Sequence, residues 1–187
     1  MVKVCDCFPV LKEITDAREQ RYRAHPERSA PDGPQSFVEV KVTSIGELDE
    51  RVACRKSGYE FVISEPAHVG GRSCAPTPLE FLLAGAVGCY AAVFAFYAAK
   101  LGVSYDTFEA VARTDFDVRG HMMPDAPNSA FQKVTISVSV VSDAPEDKLR
   151  EIERLAFQGC PGISTLREPV VVATELKVAR TAPQHAA

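Results

Sequence analysis

The chain lacks several features that would each point to a function class. It has no cluster of lysine and arginine. The densest basic stretch, Arg18, Arg21, Arg23 and Arg28, is interrupted by Asp16, Glu19 and Glu27, and the formal net charge is −4. A phosphate-binding face needs grouped cations, so nucleic acid is excluded as the main partner. No Gly-rich phosphate loop separates a strand from a helix. The opening stretch, MVKVCDCFPVLKEITDAREQ, holds neither an uninterrupted apolar run nor a small-residue cleavage site. No secretory signal is therefore expected, and the chain is expected in the cytoplasm. In that setting the six cysteines (Cys5, Cys7, Cys54, Cys74, Cys89 and Cys160) are expected to be free, catalytic or metal-binding rather than a disulfide framework. Cys5 and Cys7 form a C-x-C pair with no histidine near them, so neither a metal nor a cofactor is expected.

Charge is also missing from residues 81–99, a run about long enough to span a bilayer. The run is built of Ala and Gly more than of Leu and Ile, and no second span accompanies it. It reads as the central, buried helix of a soluble domain, with no membrane partner.

What is present organises the 187 residues into one domain with an appendage. Residues 1–35 form that appendage: a helix over Phe8 to Tyr22 with Leu11, Ile14 and Ala17 on one face, then a linker marked by Pro26, Pro31, Gly33 and Pro34. Residues 36–187 form the domain. Alternation predicts a strand over residues 37–45, a hairpin of Arg51–Cys54 and Tyr59–Ser64, and strands at Phe108–Val118, Phe131–Val141 and Val170–Val178. Thr77, Pro78 and Glu80 predict the start of a long helix through a T-x-x-E capping box, and Lys100 with Gly102 predicts its stop. A second helix runs from Pro145 to Gly159. The order β-β-β-α-β-β-α-β defines an α+β fold.

Two cysteines sit where a thiol has chemistry available. Cys89 lies within LEFLLAGAVGCYAAVFAFYAAK, and Cys160 directly follows the second helix in ERLAFQGCPGIST. Pro161 suits the first position of a new helical turn, which puts Cys160 at an N-cap where unpaired N–H groups favour a thiolate. Cys89 is mid-helix, and apolar burial raises a thiol pKa, so its activation requires a cation. A structural role as a small hydrophobe also stands open for Cys89. Cys54 and Cys74 read as structural, His68 and His121 as surface loop residues. Phe81, Tyr90, Phe94, Phe96 and Tyr97 read as core, with one or two walling an apolar pocket.

Four stretches in order, SEPAHVGGRSCAPTPLEFLLAGAVGCYAA, DFDVRG, FQKVTISVSVVSDAPEDKL and GCPGISTL, resemble the OsmC/Ohr family of thiol-dependent peroxidases over residues 36–179. The resemblance implies an OsmC-like fold and an intertwined homodimer with each active site at the subunit interface. It implies Cys89 as the peroxidatic and Cys160 as the resolving cysteine, organic hydroperoxides as substrates, and a dithiol reductant such as a lipoyl protein. It also implies an activating arginine from a strand, for which Arg51 and Arg55 are the candidates and Arg72 the outsider. In the peroxidase branch a glutamate directly after the helix-start proline holds that arginine. Here Leu79 takes that position and Glu80 follows, about 100° further round the helix. Two alternatives therefore stand beside the peroxidase: an OsmC-like redox sensor or thiol oxidoreductase, and a non-catalytic dimer that binds an apolar ligand.

Overall fold

The structure is a computed structural model that describes residues 8–25, 37–123 and 125–178. Its elements are α1 (Phe8–Ala24), β1 (Val40–Gly46), β2 (Asp49–Cys54), β3 (Glu60–Ser64), α2 (Pro78–Leu101), β4 (Thr107–Thr114), β5 (Val134–Val141), α3 (Glu146–Gly159) and α4 (Pro161–Arg167). Strands β1, β2 and β3 make one antiparallel sheet, and β4 with β5 makes a second. The expected linker, the C-x-C pair and the last nine residues lie outside the described residues.

Helix α2 is fixed at both ends by local chemistry. The Thr77 hydroxyl accepts from the Glu80 N–H at 3.3 Å, and the Glu80 carboxylate accepts from the Thr77 N–H at 2.7 Å. Pro78 occupies the first turn, where its missing N–H costs nothing. At the far end Gly102 takes φ 68°, and its N–H closes on the carbonyls of Ala98 and Ala99.

One face of α2 carries the core. Tyr90, Phe94 and Ala98 pack with Ile152 and Ala156 of α3, Cys160, and Ile163 of α4. Phe94 lies 4.9 Å from Phe108 of β4 and 5.7 Å from Tyr105, centroid to centroid. Phe108, Ile136, Val138 and Val140 bring the second sheet onto the same cluster. Its strands pair in unbroken register from Thr107↔Val141 to Thr114↔Val134, so every second side chain faces inward.

The first sheet meets α2 through β3, where Phe61 stacks on Phe81 at 4.6 Å. Its own anchor is Asp49, which is fully buried. Asp49 accepts from the Ser64 hydroxyl at 2.6 Å and from the Cys74 thiol at 3.4 Å, and it ion-pairs with Arg72. The Ser64 hydrogen bond, followed by those of Arg72 and Cys74, holds the Asp49 carboxyl below the usual carboxylate range. These bonds tie the loop before α2 to β2. Within that loop a Cβ on Gly71 would sit 1.9 Å from the Glu65 carbonyl oxygen, so only glycine fits.

The expected final strand at Val170–Val178 is corrected by the structure. That segment pairs with nothing among the described residues, and Val171 and Leu176 are 97% and 87% exposed. Strand-forming residues need a partner edge, and the described residues offer them none. The strand expected to reach Val118 ends at Thr114, and Val118–His121 forms a 3-10 turn capped by Asp117. The central helix, expected to be buried, is buried within one chain on one face. Leu82 is half-exposed, and open space surrounds Gly85 and Gly88.

The capping box generates a stability test. Thr77→Ala is expected to cost about 1 kcal/mol, read as a lower melting temperature. The cap bonds lower the Glu80 pKa. Its contribution is thus present above the usual carboxylate range and lost as pH falls through the lowered value. Unchanged melting of Thr77→Ala at neutral pH would show that the cap does not hold the helix.

Candidate active site

Cys89 lies eleven residues into α2, on the edge between its buried and open faces, and is half-buried. Cys160 is the residue between α3 and α4 and is 0% exposed. The two meet because α4 approaches α2 with no side chain in between. A Cβ built on Gly162 would lie 3.1 Å from the Cys89 Cβ and 3.2 Å from the Ala86 Cα. Gly162 therefore sets the distance between the helices that carry the thiols. Pattern reading passed over this glycine, although its place directly after Cys160-Pro161 was the available signal.

The electrostatics of Cys160 differ from the sequence expectation. The N–H groups of Ile163 and Gly162 pull its thiol pKa down, as an N-cap position should. Burial pushes the pKa up more strongly, and the neighbouring Cys89 adds to the rise. The net direction is upward, so Cys160 is held as a neutral thiol. The N-cap amides do not close a regular capping hydrogen bond on its side chain. Tyr90, beside Cys89 in sequence, is fully buried, and burial first, then the charges of Glu153 and Cys160, pushes its hydroxyl up to about 12. The Cys160 sulfur thus sits in an apolar setting that disfavours negative charge.

The structure does not bring the expected charged residues to these thiols within one chain. Arg55 is exposed and ion-paired with Glu39 at 2.8 Å. Arg72 is committed to Asp49. Arg51 is exposed on β2, opposite Thr43 and Val62, and forms no ion pair among the described residues. Glu80 is exposed, and its carboxylate is engaged by the N–H and hydroxyl of Thr77 rather than by an arginine. No group of three or more metal-ligating side chains occurs among the described residues.

Two measurements test this geometry. Cys160 alkylation in Cys89→Ser is expected to be slow at neutral pH and to accelerate only above the range of an ordinary thiol. A raised folded pKa stabilises the fold below the ordinary thiol pKa, and that stability is lost as pH rises past it. Fast alkylation near neutrality would contradict the buried, neutral state. Gly162→Ala is expected to destabilise by about 1 kcal/mol net. Its crowding of Cys89 costs about 1–3 kcal/mol, against roughly 1 kcal/mol of helix propensity gained. The Cys89–Cys160 disulfide should then form more slowly under oxidant, as followed by mass spectrometry.

Comparison with known proteins gives these observations a setting. No curated protein sequence matches the chain. Among solved structures, an OsmC-like protein from Mycoplasma pneumoniae is similar at a TM-score of 0.62 and 13% identity, over 72% of this chain and 89% of that one. An organic hydroperoxide resistance protein OsmC from Legionella pneumophila gives 0.56 and 15%, over 72% and 91%. An OsmC-like protein from Vibrio cholerae gives 0.57 and 16%, over 70% and 94%. At these identities the likeness shows the fold. The sequence profile of the OsmC-like protein family matches residues 70–175, the stretch that carries α2, both thiols and Gly162, and the chain belongs to that family.

Proposed function

We propose that this protein is a cytoplasmic, thiol-dependent peroxidase that reduces organic hydroperoxides to alcohols, working as a homodimer. The observation that carries the reading is the facing pair Cys89 and Cys160 across the glycine contact of α2 and α4. The Cys89 thiolate attacks the terminal oxygen of the hydroperoxide, the O–O bond breaks, and the alkoxide leaves and is protonated to the alcohol. Cys89 is left as a sulfenic acid. The Cys160 sulfur attacks it, water leaves, and a disulfide joins the two residues. An external dithiol, a lipoyl protein in this reading, exchanges with the disulfide and restores both thiols. A neutral Cys160 suits its step, since it is spared direct oxidation until Cys89 has reacted.

Two observations support a second copy. The open stretch of α2 around Leu82, Gly85 and Gly88 leaves small residues uncovered. Segment 170–178 and the exposed apolar residues of β1, Val40, Val42 and Ile45, lack a covering layer among the described residues. Association of two chains buries these surfaces and brings the β1–β2–β3 sheet of one chain to the other. Arg51, which has no ion pair among the described residues, is then the cation supplied to Cys89 of the other copy. Arg55, already paired with Glu39, is not.

A second reading is favoured by the engagement of Glu80 in the capping box. With no carboxylate holding the arginine, Cys89 is less activated, and the protein acts as a thiol oxidoreductase or redox sensor with slow peroxide turnover.

The deciding experiment follows loss of cumene hydroperoxide and hydrogen peroxide in the presence of a dithiol. Wild type is expected to consume the organic peroxide faster. Cys89→Ser is expected to be inactive, and Cys160→Ser to stop at the sulfenic acid. Arg51→Ala is expected to lose on the order of tenfold in kcat/KM, about 1.4 kcal/mol of transition-state stabilisation, with Arg55→Ala near wild type. Activity that survives in Cys89→Ser would move the nucleophile elsewhere. Organic peroxide turnover no faster than alkylation of an ordinary thiol would favour the second reading.

A further inference from the structure

Helix α1 lies outside the stretch matched by the family profile, yet it packs on α2. Its residue Leu11 packs against the core, and Glu19 ion-pairs with Lys100 near the end of α2. Between the two helices lies a cleft of about 660 Å³ that ends against Gly159, the neighbour of Cys160. That volume is in the range of small-molecule sites.

The cleft has a distinct chemistry at each of its parts. Val93, Phe96 and Tyr97 of α2 give it an apolar wall. Arg18, Arg23 and Lys100 line it with three cations, against the single carboxylate of Glu19. Glu19 is already satisfied, by Lys100 and by Arg23 at 2.6 Å, and these two bonds hold its carboxyl below the usual range. Arg18 is exposed and has no ion pair among the described residues. Positive charge is therefore in excess beside an apolar strip. The complement is a molecule with one anionic head and one apolar chain.

The strip also has a direction. Cys89, Val93, Phe96 and Lys100 are spaced i, i+4, i+7 and i+11, so they follow one line along α2. The α2 stretch that lines the cleft, Ala92 to Lys100, covers about 12 Å of helix rise, which suits a long acyl chain and not a short alkyl group, and Cys89 lies one turn beyond Val93 on the same line. A head group at the Lys100 end thus points its chain toward the Cys89 thiol.

We propose that the cleft between α1 and α2 binds a single-chain anionic amphiphile of the long-chain carboxylate class. The head group pairs with Arg18 and Lys100, and the chain lies over Phe96 and Val93. Delivery of an oxidised position on that chain to Cys89 rests on the peroxidase reading, whereas binding in the cleft does not.

The test separates the two. Titration calorimetry of full-length Cys89→Ser, which cannot turn over, is run with dodecanoate and with dodecanol as probes. Dodecanoate is expected to bind about tenfold more tightly than dodecanol, the difference of one charged hydrogen bond. Its affinity should fall about tenfold in an added Arg18→Glu, recover in Arg18→Lys, weaken with salt, and stay unchanged in Lys148→Glu on α3. Equal affinity for acid and alcohol, or no loss in Arg18→Glu at unchanged melting temperature, would overturn the site. In otherwise wild-type protein, Arg18→Glu should raise KM for linoleate hydroperoxide about tenfold and leave cumene hydroperoxide and the methyl ester of the linoleate peroxide unaffected. An equal rise for all three would overturn delivery along the cleft. If wild type consumes none of the three, the peroxidase reading fails, and the calorimetry still decides the site.

Discussion

The close approach of α4 to α2 at Gly162 is the contact on which the site depends. Any Cβ there would press on the Cys89 Cβ and the Ala86 backbone at little more than 3 Å. Interiors are packed densely enough that such a clash is relieved only by moving a helix. The bare backbone lets Cys160, two residues away, enter the core cluster beside Tyr90 and Ile163 while its sulfur still faces Cys89. Every other feature of the site follows from that seating. Cys160 is neutral because it is buried, and it is buried because α4 lies flush against α2.

The same seating creates an electrostatic demand that one chain does not meet. Cys160 in its apolar setting resists ionisation, and the amides at the start of α4 offset only part of the cost. Two of the three arginines near the first sheet and its loop are bound to carboxylates of their own chain, Arg55 to Glu39 and Arg72 to Asp49. The Arg72 pair has a clear structural duty, since it joins the loop before α2 to the buried Asp49 and so sets where α2 begins. Moving Arg72 to a thiol would leave a fully buried carboxylate without its cation, a larger penalty than the gain. Arg51 carries no such duty, which makes it the residue whose charge is available elsewhere.

What was legible in the sequence was what local chemistry decides. The start of α2 depends on Thr77, Pro78 and Glu80, and its end on Gly102, so both could be read from a few neighbouring residues. The motif around Cys160-Pro161 placed that residue at a helix start for the same reason. Its thiol state was not legible, because a cap argument counts nearby amides and leaves out the core that closes over them. Segment 170–178 has the alternation of a strand, but pairing is a property of the edge it meets, and the described residues supply no such edge. The burial of α2 carries the same lesson. Its charge-free run says that water is excluded, and leaves open whether the excluding atoms belong to α3, to α1 or to another copy. The bond from Arg72 to Asp49 links positions 23 apart, beyond the reach of any local pattern.

The open side of α2 is divided between two kinds of surface, and the division is chemical. Toward its start the uncovered residues are Leu82, Gly85 and Gly88, small or uncharged, and suited to another backbone. Toward its end the helix meets α1, and the surface becomes Phe96, Tyr97 and Lys100 with the arginines of α1 opposite. Helix α1 cannot slide toward the start of α2 without giving up the pair between Glu19 and Lys100. A partner seated near Gly85 is therefore not in competition with α1. Cys89 lies at the boundary of the two surfaces, one turn from the lining residue Val93 and one residue from the open Gly88.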